Sequence, residues 1–119
     1  MAISDDLPSV EVAITVNGAD LKEYRDPDLD EDEGTTTRYI EAVSGQAFGI
    51  RVMVPRGFTF LADTLAFAIY VDGKRVSCPV VFKKHCRSSN LGFTRKDWQV
   101  SPNERRGFEF AALETGIVL

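Results

Sequence analysis

One histidine, two cysteines and one tryptophan in 119 residues leave little material for metal or nucleophilic chemistry. Cys78 and Cys86 are too few for the disulfide framework of a secreted scaffold and are expected as two free thiols, with a bridge across a turn as the alternative reading. His85 and the two thiols supply three metal ligands at most, and His85 adjoins Cys86, where strand geometry sends neighbouring side chains to opposite faces. The same divergence argues against a His85–Cys86 nucleophile pair and favours a buried thiol beside a surface imidazole. The chain has no Gly-x-Ser-x-Gly elbow, no Gly-x-x-x-x-Gly-Lys phosphate loop, no His-Glu-x-x-His and no Gly-x-Gly-x-x-Gly fingerprint. No apolar run approaches the ~20 residues of a membrane span, and the N-terminus lacks the basic and apolar regions of a signal peptide. The expectation is a soluble, cytoplasmic protein that is not an enzyme, with no cofactor, no metal site and no catalytic residue.

What is present is β-strand patterning. With 44% hydrophobic and 27% charged residues, the chain has the composition of a globular protein, and its length suits a single domain over residues 1–119. Leu65, Phe67, Ile69 and Val71 alternate with Ala66, Ala68 and Tyr70, and the run meets Asp72-Gly73 before a second β-prone stretch, Lys74 to Phe82. Period-2 spacing puts one set of side chains on one sheet face, and Asp-Gly tolerates the positive φ angles of a type I′ turn, so residues 65–82 read as a β-hairpin. Val10, Val12, Ile14 and Val16 repeat the pattern ahead of Asn17-Gly18, with a return strand over 20–24. Further strands are read over 35–43, over 48–54 up to the stop at Pro55-Arg56-Gly57, and from Phe108 through Ala112. Short strands between frequent turns predict an all-β fold, an antiparallel two-sheet β-sandwich, jelly-roll-like or a partly closed barrel.

Charge is divided along the chain. Residues 1–41 hold twelve acidic and three basic residues, a balance of −9, and residues 42–119 hold six acidic and eleven basic, a balance of +5, so the total of −4 conceals two opposed halves. The acids concentrate in a loop at about 25–35, at Asp26, Asp28, Asp30, Glu31, Asp32 and Glu33. Such a run cannot bury itself and reads as a solvated loop or as a docking site for a basic partner. Asp26, Asp28 and Asp30 match the first positions of a calcium loop, but Glu31 and Thr37 stand where an EF-hand needs its glycine and terminal glutamate, which leaves a weak, non-selective divalent-ion site as the minor reading. The bases gather at Lys83 and Lys84, at Arg95 and Lys96, and at Arg105 and Arg106, within a segment of about 83–107 that is expected to be long, irregular and only partly extended. The negative total argues against nucleic acid as a partner. Trp98 reads as core or as a stacking face for a sugar, which makes a carbohydrate- or small-ligand-binding domain the alternative function.

Four motifs in order carry a resemblance: Leu-Pro-Ser-Val-Glu-Val at 7–12, Arg-Tyr-Ile-Glu-Ala-Val-Ser-Gly at 38–45, Tyr-Val-Asp-Gly-Lys-Arg-Val at 70–76, and Phe-Glu-Phe-Ala-Ala-Leu-Glu-Thr-Gly at 108–116. Together they resemble a large fungal family of uncharacterised all-β domains. The resemblance implies a non-secreted fungal protein and transfers no catalytic residue. A looser association, with a sweet-tasting truffle protein of similar size, implies a surface that acts on a taste receptor.

The function expected from the residues is a protein-interaction module that uses charged loops for contacts with a protein partner, a homodimer being one form of the same idea. Replacing Asp28, Asp30, Glu31, Asp32 and Glu33 with Asn or Gln is expected to leave the melting temperature nearly unchanged. A large loss of stability on that replacement, read by circular dichroism, would show that the run is structural and remove it as a docking loop.

Overall fold

The computed structural model describes residues 2–4, 7–29, 34–111 and 117–118. The chain runs through β1 (Ala2–Ser4), β2 (Leu7–Val16), β3 (Ala19–Asp20), β4 (Glu23–Tyr24), β5 (Tyr39–Ile40), β6 (Gly49–Val54) and β7 (Thr64–Ala66). It continues through β8 (Ile69–Val71), β9 (Lys74–Ser77), β10 (Val80–Phe82), β11 (Leu91–Arg95), β12 (Asp97–Ser101), β13 (Glu104–Gly107) and β14 (Ile117–Val118), with one 3-10 turn at Lys83–Cys86. No described residue is α-helical. Among the described residues all pairings are antiparallel and form several small sheets, none of them closed, which is the antiparallel all-β class expected.

The central pair is β2 with β6, in the register Val12↔Val52 and Ile14↔Ile50. β11 extends it on the far side of β6, with Phe93 opposite Val52 and Leu91 opposite Val54, while β1 and β3 pair with β2. The sequence forms these strands for the expected reason: Ile50, Val52 and Val54 recur at period 2 and all three are buried. The turn at Asn17-Gly18 has φ of 52° and 80°, the positive values of a type I′ hairpin, and joins Val16 to Ala19.

The hairpin over 64–82 also forms as expected, closed at Asp72 (φ 52°) and Gly73 (φ 77°). Its ladder is carried by β7 with β10 and by β8 with β9, joined by a Phe67 N–H bond to the Pro79 carbonyl of 2.9 Å. Its inner face lies against the β2–β6–β11 sheet in two clusters. One holds Ile69 with Ile14, Ile50, Ile40, Phe108 and Phe110, and the other holds Val81 with Val10, Val52, Val54 and Cys86. Phe48 stacks on Phe108 and Phe110 at 5.4 and 4.5 Å, at the point where Phe48 donates to the Phe108 carbonyl.

Four expectations change. The strand read from Phe108 through Ala112 keeps, among the described residues, a single bridge of Glu109 with Ala47. The return strand over 20–24 divides, since Ala19–Asp20 pairs with β2 whereas Glu23–Tyr24 pairs with β5. The strand over 35–43 narrows to Tyr39–Ile40, which lies between β4 and β14. The segment 83–107 is mostly ordered strand: β11 joins the central sheet, and β12 and β13 form their own hairpin. Its pattern was faint because Gly92 and Thr94 alternate with Leu91 and Phe93, and because every residue of β13 is exposed, so no burial period marks it. Ala112 lies outside the described residues.

The outward face of the central sheet is closely built. A Cβ placed on Gly49 would sit 2.9 Å from both Thr15 Oγ1 and Thr94 Cγ2, whereas one on Gly73 meets nothing within 4 Å and suffers only from its positive φ. Gly49→Ala is therefore expected to cost about 1–3 kcal/mol through overpacking. Gly73→Ala is expected to cost about 1 kcal/mol through backbone conformation alone. Thermal melts compare the two; a Gly49→Ala protein as stable as the parent would contradict the packing of this face.

Candidate functional site

The basic residues singled out in the sequence do not converge. Lys83 and Lys84 occupy the 3-10 turn that follows β10, and both are exposed. Arg95 ends β11 opposite Ile50, on the inward side of the sheet; its guanidinium lies 5.0 Å from the Phe93 ring centroid and its Nε donates to Ser77 Oγ at 3.3 Å. Lys96 is directed to the outward side, with its Cγ 3.3 Å from the place of a Gly49 Cβ. Arg105 holds Asp97 through Nη2 and Nε at 2.6 and 2.9 Å, and Arg106 holds Glu104 at 3.3 Å, so the β12–β13 hairpin balances much of its own charge. Of the acidic run, Asp26 and Asp28 form an exposed turn in which the Asp28 N–H bonds to Asp26 Oδ1 at 2.9 Å. Asp30, Glu31, Asp32 and Glu33 lie outside the described residues.

One surface combines apolar exposure with bases: the outer face of the 64–82 hairpin. Alternation exposes Thr64, Ala66, Ala68 and Tyr70 on one strand, and Cys78, Val80 and Phe82 on the other, while Leu65, Phe67, Ile69 and Val81 turn inward. Tyr70 is 60% exposed, Val80 48% and Phe82 44%. Arg75, opposite Tyr70, borders the end near the turn. Lys83, Lys84 and His85 border the other, with Lys84 Nζ 5.8 Å from the Phe82 ring and His85 edge-on to it at 5.8 Å. Among the described residues, no carboxylate forms an ion pair with Lys83, Lys84 or Arg75. An aromatic and aliphatic centre with a charged rim is the anatomy of a protein interface. Sequence reasoning used the alternation of 65–71 to find the core and passed over its complement; Tyr70, Val80 and Phe82, apolar residues at the outward positions, are the signal that was there to be read.

Remaining candidates have plain structural roles. Cys86 is 1% exposed and packs among Val10, Val52, Val54 and Val81, while its neighbour His85 is exposed, and burial pushes the Cys86 thiol pKa up. Cys78 is exposed, and both thiols are free. Trp98 is half-buried against the Ile14–Phe108 cluster, and Lys74 Nζ stands 4.1 Å from its ring centroid in a cation–π contact. Among the described residues no three His, Cys, Asp or Glu side chains come together as metal ligands. No helix of the described residues is long and apolar enough to cross a membrane.

These features define an all-β domain of open antiparallel sheets with an exposed apolar face on the 64–82 hairpin. The chain belongs to the family described as DUF7918, a domain of unknown function, whose model matches residues 9–117. No curated protein and no solved structure matches it. The family match carries no statement of fungal origin and no link to a sweet-tasting protein.

The raised Cys86 pKa means that the folded state favours the neutral thiol. The stability this contributes is whole below the ordinary thiol range and is lost as pH rises through the raised value. With Ellman's reagent near pH 8, one thiol per chain, Cys78, is expected to react at once and the second only on denaturation. Two fast thiols would contradict the burial of Cys86.

Proposed function

We propose that the chain is a non-enzymatic protein-interaction module, built as two packed β layers, that docks a partner on the outer face of the 64–82 hairpin. The observation that carries this reading is the joint exposure of Tyr70, Val80 and Phe82 between the bases Arg75, Lys83 and Lys84. Aromatic anchors supply most of the affinity of an interface, and unpaired rim charges steer the encounter and select the sign of the partner. The partner is a protein whose contact surface is apolar and bordered by Asp or Glu. The acidic run from Asp26 to Glu33 gives the same chain a surface of opposite sign, so a second copy has the required chemistry as well. Action in the cytoplasm belongs to the same proposal.

The test uses the full chain as bait in an extract of its source cells, at low and high salt. It compares the parent with Tyr70→Ser/Phe82→Ser and with Lys83→Glu/Lys84→Glu. Losing two anchors is expected to weaken capture by at least about tenfold, and charge reversal to weaken it chiefly at low salt. Sedimentation of the same three proteins separates self-association from a foreign partner. Capture and sedimentation that are indifferent to both variants would reject this face.

A further inference from the structure

A cavity of about 480 Å³ opens between the central sheet and the hairpin. Its walls are Val12 and Ile14 from β2, Val52 from β6, and Phe67 and Ile69 from the hairpin. Glu23, Thr36 and Arg38, from the layer of β4 and the chain entering β5, stand at one end of it. The space opens to solvent, so its apolar walls are exposed area that a bound apolar molecule would cover. Its volume lies within the range of small-molecule sites, and apolar walls offer water too few partners to hold it in place.

We propose that this cavity binds a small, largely apolar molecule carrying one uncharged hydrogen-bonding head group, such as a medium-chain alcohol or ketone. The class of the body follows from the walls, where aliphatic and aromatic side chains present no charge. The class of the head follows from the polar end. Glu23 and Arg38 bring one charge of each sign to that end, so a head group with a net charge of either sign meets a like charge as well as an opposite one, and an uncharged head avoids that repulsion. The site adjoins the outer face of the hairpin and shares Ala66, Ala68 and Tyr70 with its edge, but it lies mainly on the side where Phe67 and Ile69 point and does not include Val80 or Phe82.

The probe is N-phenyl-1-naphthylamine, an uncharged apolar fluorophore, titrated into the full chain. The expected result is saturable one-site enhancement with a blue-shifted emission, reversed by 1-decanol and at least about tenfold less effectively by decanoate. Val12→Phe fills the cavity from its floor and is expected to weaken the probe by about tenfold or more, with an unchanged circular dichroism spectrum. Ala68→Trp places bulk at the exposed rim and is expected to act alike, and it decides the matter should Val12→Phe fail to fold. Phe82→Ser is expected to leave the titration unchanged. Absence of saturable binding, equal binding by the folded cavity variants, or loss of binding on Phe82→Ser would overturn the site. Displacement by decanoate ahead of decanol would overturn the uncharged class.

Discussion

The contact on which the structure depends is the apolar seam between the 64–82 hairpin and the β2–β6–β11 sheet. A chain without α-helices can bury a sheet face only against another layer of strand or loop. Here the inward residues of the hairpin, Phe67, Ile69 and Val81, meet Val10, Ile14, Val52 and Val54, and Val54 is wholly buried. Around that seam the remaining strands are short and their sheets small, so most of them gain little from their own ladders. Phe108 and Phe110 hold the chain after β13 to Phe48, and the Cys86 carbonyl ties the 3-10 turn to Pro55-Arg56-Gly57 by accepting from the Gly57 N–H. Remove the seam and these peripheral elements have nothing to pack against.

The same arrangement explains where function can reside. A hairpin that turns one face into the core must turn the other to solvent, and in this chain the outward positions are not all polar. Tyr70, Val80 and Phe82 remain on the surface at the cost of exposed apolar area, with lysines and an arginine at the borders. Beneath the hairpin, the layers separate enough to leave an apolar space closed at one end by Glu23, Thr36 and Arg38. Both features belong to one element, and both follow from how far the hairpin stands from the sheet and which side chains it shows.

Electrostatics plays a different part from the one its uneven distribution suggests. Arg51 grips Asp20 through both nitrogens at 2.8 Å across β2, and Arg105 and Arg106 are satisfied within the β12–β13 hairpin, so a share of the basic half is spent on local order. Such exposed pairs contribute little to stability individually and are screened by salt. Among the described residues, Lys83, Lys84 and Arg75 form no ion pair with a carboxylate.

The sequence by itself determined the all-β class, the strands built on Val10, Ile14, Ile50, Val52 and Ile69, and both two-residue turns. Each of these rests on a period of two residues or on the tolerance of Asn-Gly and Asp-Gly for positive φ, which are local properties. It also marked His85 as a surface and Cys86 as a buried residue, although by strand geometry, whereas the two residues lie in the 3-10 turn Lys83–Cys86 and diverge there. What only the tertiary structure decided is which strands are neighbours, and hence what stands together. β11 and the β12–β13 hairpin were faint because their pairing, rather than any burial period of their own, makes them strands. Arg95 and Lys96, adjacent in sequence, face opposite sides of the central sheet, and Arg105 and Arg106 find acids within their own hairpin, so a cluster in the sequence is not a patch in space. The outer apolar face was written in the local alternation, at Tyr70, Val80 and Phe82, but the cavity under the hairpin depends on contacts between residues far apart in the chain, and no local pattern encodes such distances.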